Sequence, residues 1–303
     1  MKINFRRILC ATDLSDFSNS AVTQAIAMAR EFGARLFICH IIDLPMVTMH
    51  GAAYVYQEDQ IEEMKAGAVN QIRRLTADVD LDWEPIVETG PVSSTLRRLA
   101  VDHQVDLAIV STHGRTGFKR LFLGSVTERL LRTIGCPLLV VTPPEKAPTG
   151  KLPFKGFGFK QIMVGCDFSK DSGRAAAVGF GLAQEFEATI HLVHVIEPFV
   201  YRDTMMRDTG KTEELTEVST GCRQRMEKLV PEGAADWCDI VIACETGKPF
   251  QTLIAYAEEN DIDLIVLGVR GHSLVETLLL GSTTDRVIRG VACPVLSVSP
   301  PNR

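Results

Sequence analysis

The chain has 303 residues, of which 46% are hydrophobic and 23% charged, the balance of an ordinary globular protein with room for two domains. Its net charge of -6 argues against nonspecific nucleic-acid binding, which needs a basic surface. No apolar run reaches the roughly 18 residues of a membrane helix, and the run after Met1 meets Asp13 too soon for a signal sequence, so the expected compartment is the cytoplasm.

The first half alternates strand and helix. Ile8–Ala11 reads as a short strand, and Ser15 or Ser18 as the cap of a helix carrying Ala21, Ile26, Ala27 and Ala29. Leu36–Ile42 is a second strand, continuous in hydrophobicity as a strand covered on both faces would be. The stretch LPMVTMHGAAYVYQ, with Met46, Met49, Tyr54 and Tyr56, has no clear period; it fits a surface loop, a pocket cover or an oligomer contact. Ile61, Met64, Ala68 and Ile72 have helical spacing, Pro85–Val87 is a short third strand, and Thr95–His103 a helix. Leu107–Val110 is the fourth strand, Ser125–Ile134 a helix and Leu138–Val141 the last strand. Such alternation predicts an α/β domain with a mainly parallel sheet and helices on its faces.

The second half repeats the first. Asp13 recurs as Asp167 and His40 as His194 at one constant offset; from Gly90 and Gly247 onward the offset is three residues larger. The aperiodic stretch recurs too, with Phe199, Tyr201, Met205 and Met206. We therefore expect two domains, residues 1–144 and 161–303, joined by a linker over 145–160 that is rich in Pro, Gly and Lys.

The chemistry-bearing stretches are STHGRTGFKRLFLGS, Ser111–Ser125, and GVRGHSLVETLLLGS, Gly268–Ser282. Each follows an apolar strand, carries two glycines ten positions apart (Gly114 and Gly124, then Gly271 and Gly281) and enters a helix. Glycine lets backbone approach a ligand, and a helix start supplies unpaired N–H groups, so the pattern suits a phosphate. It is neither of the two best-known phosphate loops, and loops that merely punctuate strands are the plainer reading. An open parallel sheet binds ligands where its strand order reverses, and Asp13 and Asp167 also reach that crevice, each just past a first strand. A carboxylate there can accept from a base amine or ribose hydroxyls; the other role open to it is a helix cap or first-turn acid.

The eight cysteines fit reduced thiols, without a C-x-x-C pair or zinc-finger spacing. Cys39-His40 could join a metal site, but packing explains the pair more simply. Catalysis has little support: no acid–base or nucleophile–base pair recurs, Ser125 lacks a base, and His113 has Arg270 as its counterpart.

The ATD-x-S start, the close of strand two on H-I/V-I, and G-x-x-G-x9-G-S before a C-P-x-x-x-V strand resemble the universal stress protein family, over nearly all of both halves. The resemblance implies a tandem member in which each repeat is a five-stranded, Rossmann-like sheet of the adenine nucleotide alpha hydrolase-like type. In the nucleotide-binding branch it implies ATP or AMP in the crevice, with any Mg²⁺ leaning on phosphates and water. Carried onto this chain, the adenine-side positions are Asp13 and Ile41, then Asp167 and Val195. The phosphate and ribose positions are Gly114, Gly124 and Ser125, then Gly268, Gly271, Gly281 and Ser282. Ser111 departs from the family's glycine, while Arg115, Lys119 and Arg120 give the first loop cations that His272 and Glu276 do not give the second. The resemblance also implies pairing along the last strands, within the chain or with a second copy. The leading expectation is a non-catalytic stress or signalling protein that binds an adenine nucleotide. The alternatives are an interaction protein with degenerate pockets and a slow nucleotide hydrolase.

Overall fold

A computed structural model describes residues 3–44, 47–49, 52–54, 56–77, 79–112, 123–143, 158–197, 211–269 and 281–300. The chain divides into two compact units, one of residues Phe5–Phe157, the other of Gly158–Arg303 with the first four residues.

The first unit contains β1 (Arg7–Ala11), α1 (Asn19–Phe32), β2 (Arg35–Ile42), β3 (Val47–Met49), β4 (Ala52–Tyr54), α2 (Glu58–Leu75), β5 (Trp83–Thr89), α3 (Val92–Asp102), β6 (Leu107–Ser111), α4 (Ser125–Thr133) and β7 (Leu138–Val141). Its main sheet has the order β7-β6-β1-β2-β5, and every pairing is parallel. The second unit contains β8 (Gln161–Gly165), α5 (Lys170–Phe186), β9 (Thr189–Ile196), α6 (Lys211–Glu227), a short turn of 3-10 helix (Ala234–Asp236), β10 (Ile240–Thr246), α7 (Pro249–Glu259), β11 (Leu264–Gly268), α8 (Ser282–Gly290) and β12 (Val295–Val298). Its order is β12-β11-β8-β9-β10, again parallel throughout.

Central strands are buried because helices cover both faces. Leu107–Ser111 is buried at every position, and Ile8, Leu36, Ile38 and Ile109 have no accessible surface. Edge strand β5 is half-buried along its length and carries Pro85, which an edge tolerates because one side of the strand has no ladder to complete. That strand extends beyond the expected Pro85–Val87 at both ends, α3 starts three residues before the expected Thr95, and Val47–Met49 with Ala52–Tyr54 forms an antiparallel hairpin within the stretch that lacks a period. The counterpart positions Phe199, Tyr201, Met205 and Met206 lie outside the described residues. No described helix is long and apolar enough to cross a membrane.

In each sheet the strand order reverses beside the first strand. β1 leads to β2 and β5 on one side and lies against β6 on the other. Likewise β8 lies between β9 and β11. The carboxyl ends of these three strands open onto one crevice per unit, the place where doubly wound sheets take ligands.

Candidate functional sites in two crevices

The first crevice encloses about 290 Å³. Its walls include Asp13 past β1, Ile41 on β2, Ser111 and Thr112 past β6, and Gly124, Ser125 and Thr127 at the start of α4, with Leu96 of α3 on the apolar side. The second encloses about 500 Å³ and gathers the corresponding Asp167, Val195, Gly268, Gly281, Ser282 and Thr284, with Leu253 of α7 in place of Leu96. Gly114 and Arg115, with Lys119 and Arg120, lie outside the described residues, as do Gly271, His272 and Glu276.

The acids sit in tight turns rather than at helix caps. Asp13 Oδ1 accepts from the Ser15 amide at 3.0 Å and from Ser15 Oγ at 2.6 Å, across Leu14 at a φ of 62°. Asp167 Oδ1 accepts from the Ser169 amide at 2.9 Å, across Phe168 at a φ of 64°. An aspartate that bonds its own backbone two residues on makes such a turn affordable for a non-glycine residue. The ring of the following strand steadies each turn: His40 Nδ1–H donates to the Thr12 carbonyl at 2.9 Å, and His194 Nδ1–H to that of Cys166 at 2.6 Å. Burial lowers the His194 pKa, and nearby Arg225 lowers it further against the opposing pull of the Cys166 carbonyl and Asp167. The ring is then neutral, with Nε2 an acceptor.

The helix starts carry the anion-binding character. Helix α4 begins after Gly124 and α8 after Gly281, and neither has a side-chain cap. The amides of Ser125, Val126 and Thr127, then of Ser282, Thr283 and Thr284, precede the first intrahelical donors, Glu128 and Asp285, and belong to residues that line the crevices. In contrast, Ser169 Oγ caps α5 by accepting from the Ser172 amide at 3.1 Å. Gly124 has ordinary extended geometry, φ -61° and ψ 142°, so its value lies in the missing side chain; a Cβ would sit 3.3 Å from the Thr112 carbonyl oxygen.

Two positions escaped the sequence reading. Thr127 Oγ1 donates to the Ser111 carbonyl at 3.0 Å and Thr284 Oγ1 to that of Gly268 at 2.9 Å, tying each helix start to its strand. Their recurrence in register was the signal that could have found them. Arg225 is the other. It lines the second crevice from α6, far in sequence from the glycine loop, and supplies a cation to the half that the loops alone make cation-poor. Cys39 faces the core, where burial raises its thiol to about 12, ahead of the smaller effect of Glu88. Among the described residues no three His, Cys, Asp or Glu side chains gather as a metal site.

The model of the universal stress protein family matches residues 4–142 and again 158–299. A universal stress protein of Synechocystis sp. is 26% identical over 96% of this chain and 99% of its own length. One from Mycobacterium tuberculosis is 24% identical over 86% of both. A universal stress protein of Archaeoglobus fulgidus superposes over 99% of this chain and 98% of its own, with a TM-score of 0.69 at 22% identity, which shows the shared fold. With one family match in each unit and the same crevice built twice, the chain belongs to the universal stress protein family as a tandem, two-domain member.

Proposed function

We propose that the protein binds nucleotides in its two crevices without turning them over, in the cytoplasm, and that occupancy sets its conformation or its choice of partner. The observation that carries this reading is the uncapped start of α4 and of α8, each opening beside a turn aspartate at a strand-order reversal. Three free amides and the positive end of a helix dipole favour a phosphate. The acid opposite suits a base amine or a ribose hydroxyl, and the apolar wall from Ile41 and Leu96, or Val195 and Leu253, suits a base. The family resemblance implies ATP or AMP as the ligand. Asp13 is the only carboxylate lining the first crevice among the described residues, and it is tied into its turn, so Mg²⁺ would arrive on the phosphates rather than in a protein cage.

The test is mass spectrometry of ligand retained through purification, followed by calorimetric titration with ATP and AMP. Gly124→Val and Gly281→Val place a branched side chain where a phosphate would lie, so each is expected to remove binding in its own crevice with the fold retained. Unchanged affinity in both single variants and in the double variant would sink the phosphate assignment.

A further inference from the structure

Among the differences between the two units is a matched pair of positions of which only the second unit's residues line a crevice. In the first unit Gln71 of α2 turns its Nε2 to the Leu14 carbonyl at 3.2 Å, and neither residue lines the crevice. At the same repeat positions the second has Arg225 and Phe168. The Arg225 guanidinium carbon lies 3.7 Å from the Phe168 ring centroid, and that ring lies 4.5 Å from His194 at 38°. Stacking on a ring holds the planar fork in one orientation while leaving its N–H edge free. Among the described residues Arg225 makes no hydrogen bond or ion pair, and Asp167 Oδ2 has no partner. The second crevice thus holds a donor-only fork, an acceptor-only carboxylate oxygen and the helix start of α8.

We propose that Arg225 makes the second crevice selective for a 6-oxopurine nucleotide, of the guanine type, over a 6-aminopurine one. The inference rests on the nucleotide reading of this crevice and departs from it in the base. Guanine presents two adjacent acceptors, O6 and N7, which a guanidinium fork meets with two N–H groups; adenine presents N7 beside an amino donor, which a fork repels and a glutamine side chain matches. Guanine's N1–H and 2-amino group are donors for the free oxygen of Asp167, while the phosphate goes to the amides of Ser282 and Thr283. The first crevice lacks this reader, since neither Gln71 nor Leu14, the counterparts of Arg225 and Phe168, lines it.

The test uses the full chain carrying Gly124→Val, titrated with GMP and AMP so that phosphate number is held constant, then repeated with Arg225→Gln and Arg225→Lys. Arg225 is exposed on α6, so both replacements keep the fold, which circular dichroism checks. GMP is expected to bind about tenfold or more tightly than AMP, as one bidentate base contact implies. Both replacements are expected to collapse that ratio, lysine included, because it keeps the charge but not the fork. Equal affinities for GMP and AMP overturn the proposal. So does an equal loss of both ligands in Arg225→Gln, which would make Arg225 only an attractor of phosphate. Tight AMP binding with GMP excluded refutes the base assignment and leaves nucleotide binding standing, whereas no binding of either nucleotide refutes both.

Discussion

A Cβ built on Gly268 would lie 2.8 Å from the backbone carbonyl carbon of Asp171 and 2.9 Å from the amide nitrogen of Ser172. Those atoms belong to the first turn of α5 and cannot move aside as a side chain would. The glycine is therefore required by helix packing against the strand end, a role distinct from cradling phosphate. Ser111 is tolerated at the matching place because α1 starts later, at Asn19, and the serine Oγ instead donates to the Phe17 carbonyl at 3.4 Å. Gly268→Ser is expected to destabilise the second unit by about 1–3 kcal/mol, the usual cost of forcing atoms into a filled space. Ser111→Gly should cost less than about 1 kcal/mol. Scanning calorimetry separates the two roles: a Gly268→Ser protein that melts like wild type yet loses ligand would return this glycine to the phosphate.

The strands were legible in the sequence because burial on both faces writes them as continuous apolar runs, as in Leu107–Ser111. The crevice was legible through the repetition of Asp13 and Gly124 as Asp167 and Gly281. What was hidden depended on neighbours distant in sequence. Similar turn sequences after β1 and β8 start α1 at Asn19 but α5 at Lys170, three repeat positions earlier, although the matched serines bond alike, Ser15 Oγ accepting from the Ser18 amide at 3.3 Å and Ser169 Oγ from the Ser172 amide at 3.1 Å. Nothing local on α6 marks Arg225 as a crevice residue. The ends of these helices carry another difference. Helix α1 ends on Gly33 at a φ of 59°, whereas α5 ends on Glu187 at a φ of 50°. A side chain in the left-handed region costs about 1–2 kcal/mol, part of which glycine surrenders through its freer unfolded chain. Glu187→Gly is thus expected to stabilise the second unit by about 0.5–1 kcal/mol, and Gly33→Glu to destabilise the first by about 1 kcal/mol. No atom lies within 4 Å of a Cβ built at Gly33, so a loss there would be one of backbone alone. Chemical denaturation followed by hydrogen exchange reads each unit separately; a Glu187→Gly protein no more stable than wild type would count against the argument.

Across the molecule, the two units share a fold but fill one matched place in their cores differently. Phe37 and Leu99 of the first become His191 and Tyr256 in the second. His191 is only 6% exposed; its Nε2–H donates to Gln161 Oε1 at 2.8 Å and its Nδ1 accepts from the Tyr256 hydroxyl at 2.9 Å, so the ring is satisfied while neutral. Burial holds its pKa below the ordinary 6.5. The sign follows from linkage: the unfolded chain takes the proton first, so the stability this ring contributes is full above 6.5 and is lost as pH falls from there through the lower folded value. Burial of His194 acts in the same direction. Asp263 opposes them, because burial raises its carboxyl above 3.8 despite the backbone amides of Lys160, Gln161 and Asp263 itself and the charge of Lys160, so it adds stability as pH falls. Comparison with a variant isolates the part due to His191. His191→Phe with Tyr256→Leu rebuilds the apolar pair of the first unit and leaves Gln161 able to turn to solvent. Hydrogen exchange of second-unit peptides, measured between roughly pH 7.5 and 5.5 and corrected for intrinsic rate, should show protection falling more steeply in wild type than in this double variant. Equal slopes would mean that His191 does not gain a proton on unfolding in this range, and that its buried bonds to Gln161 and Tyr256 carry no pH dependence into the stability of the second unit.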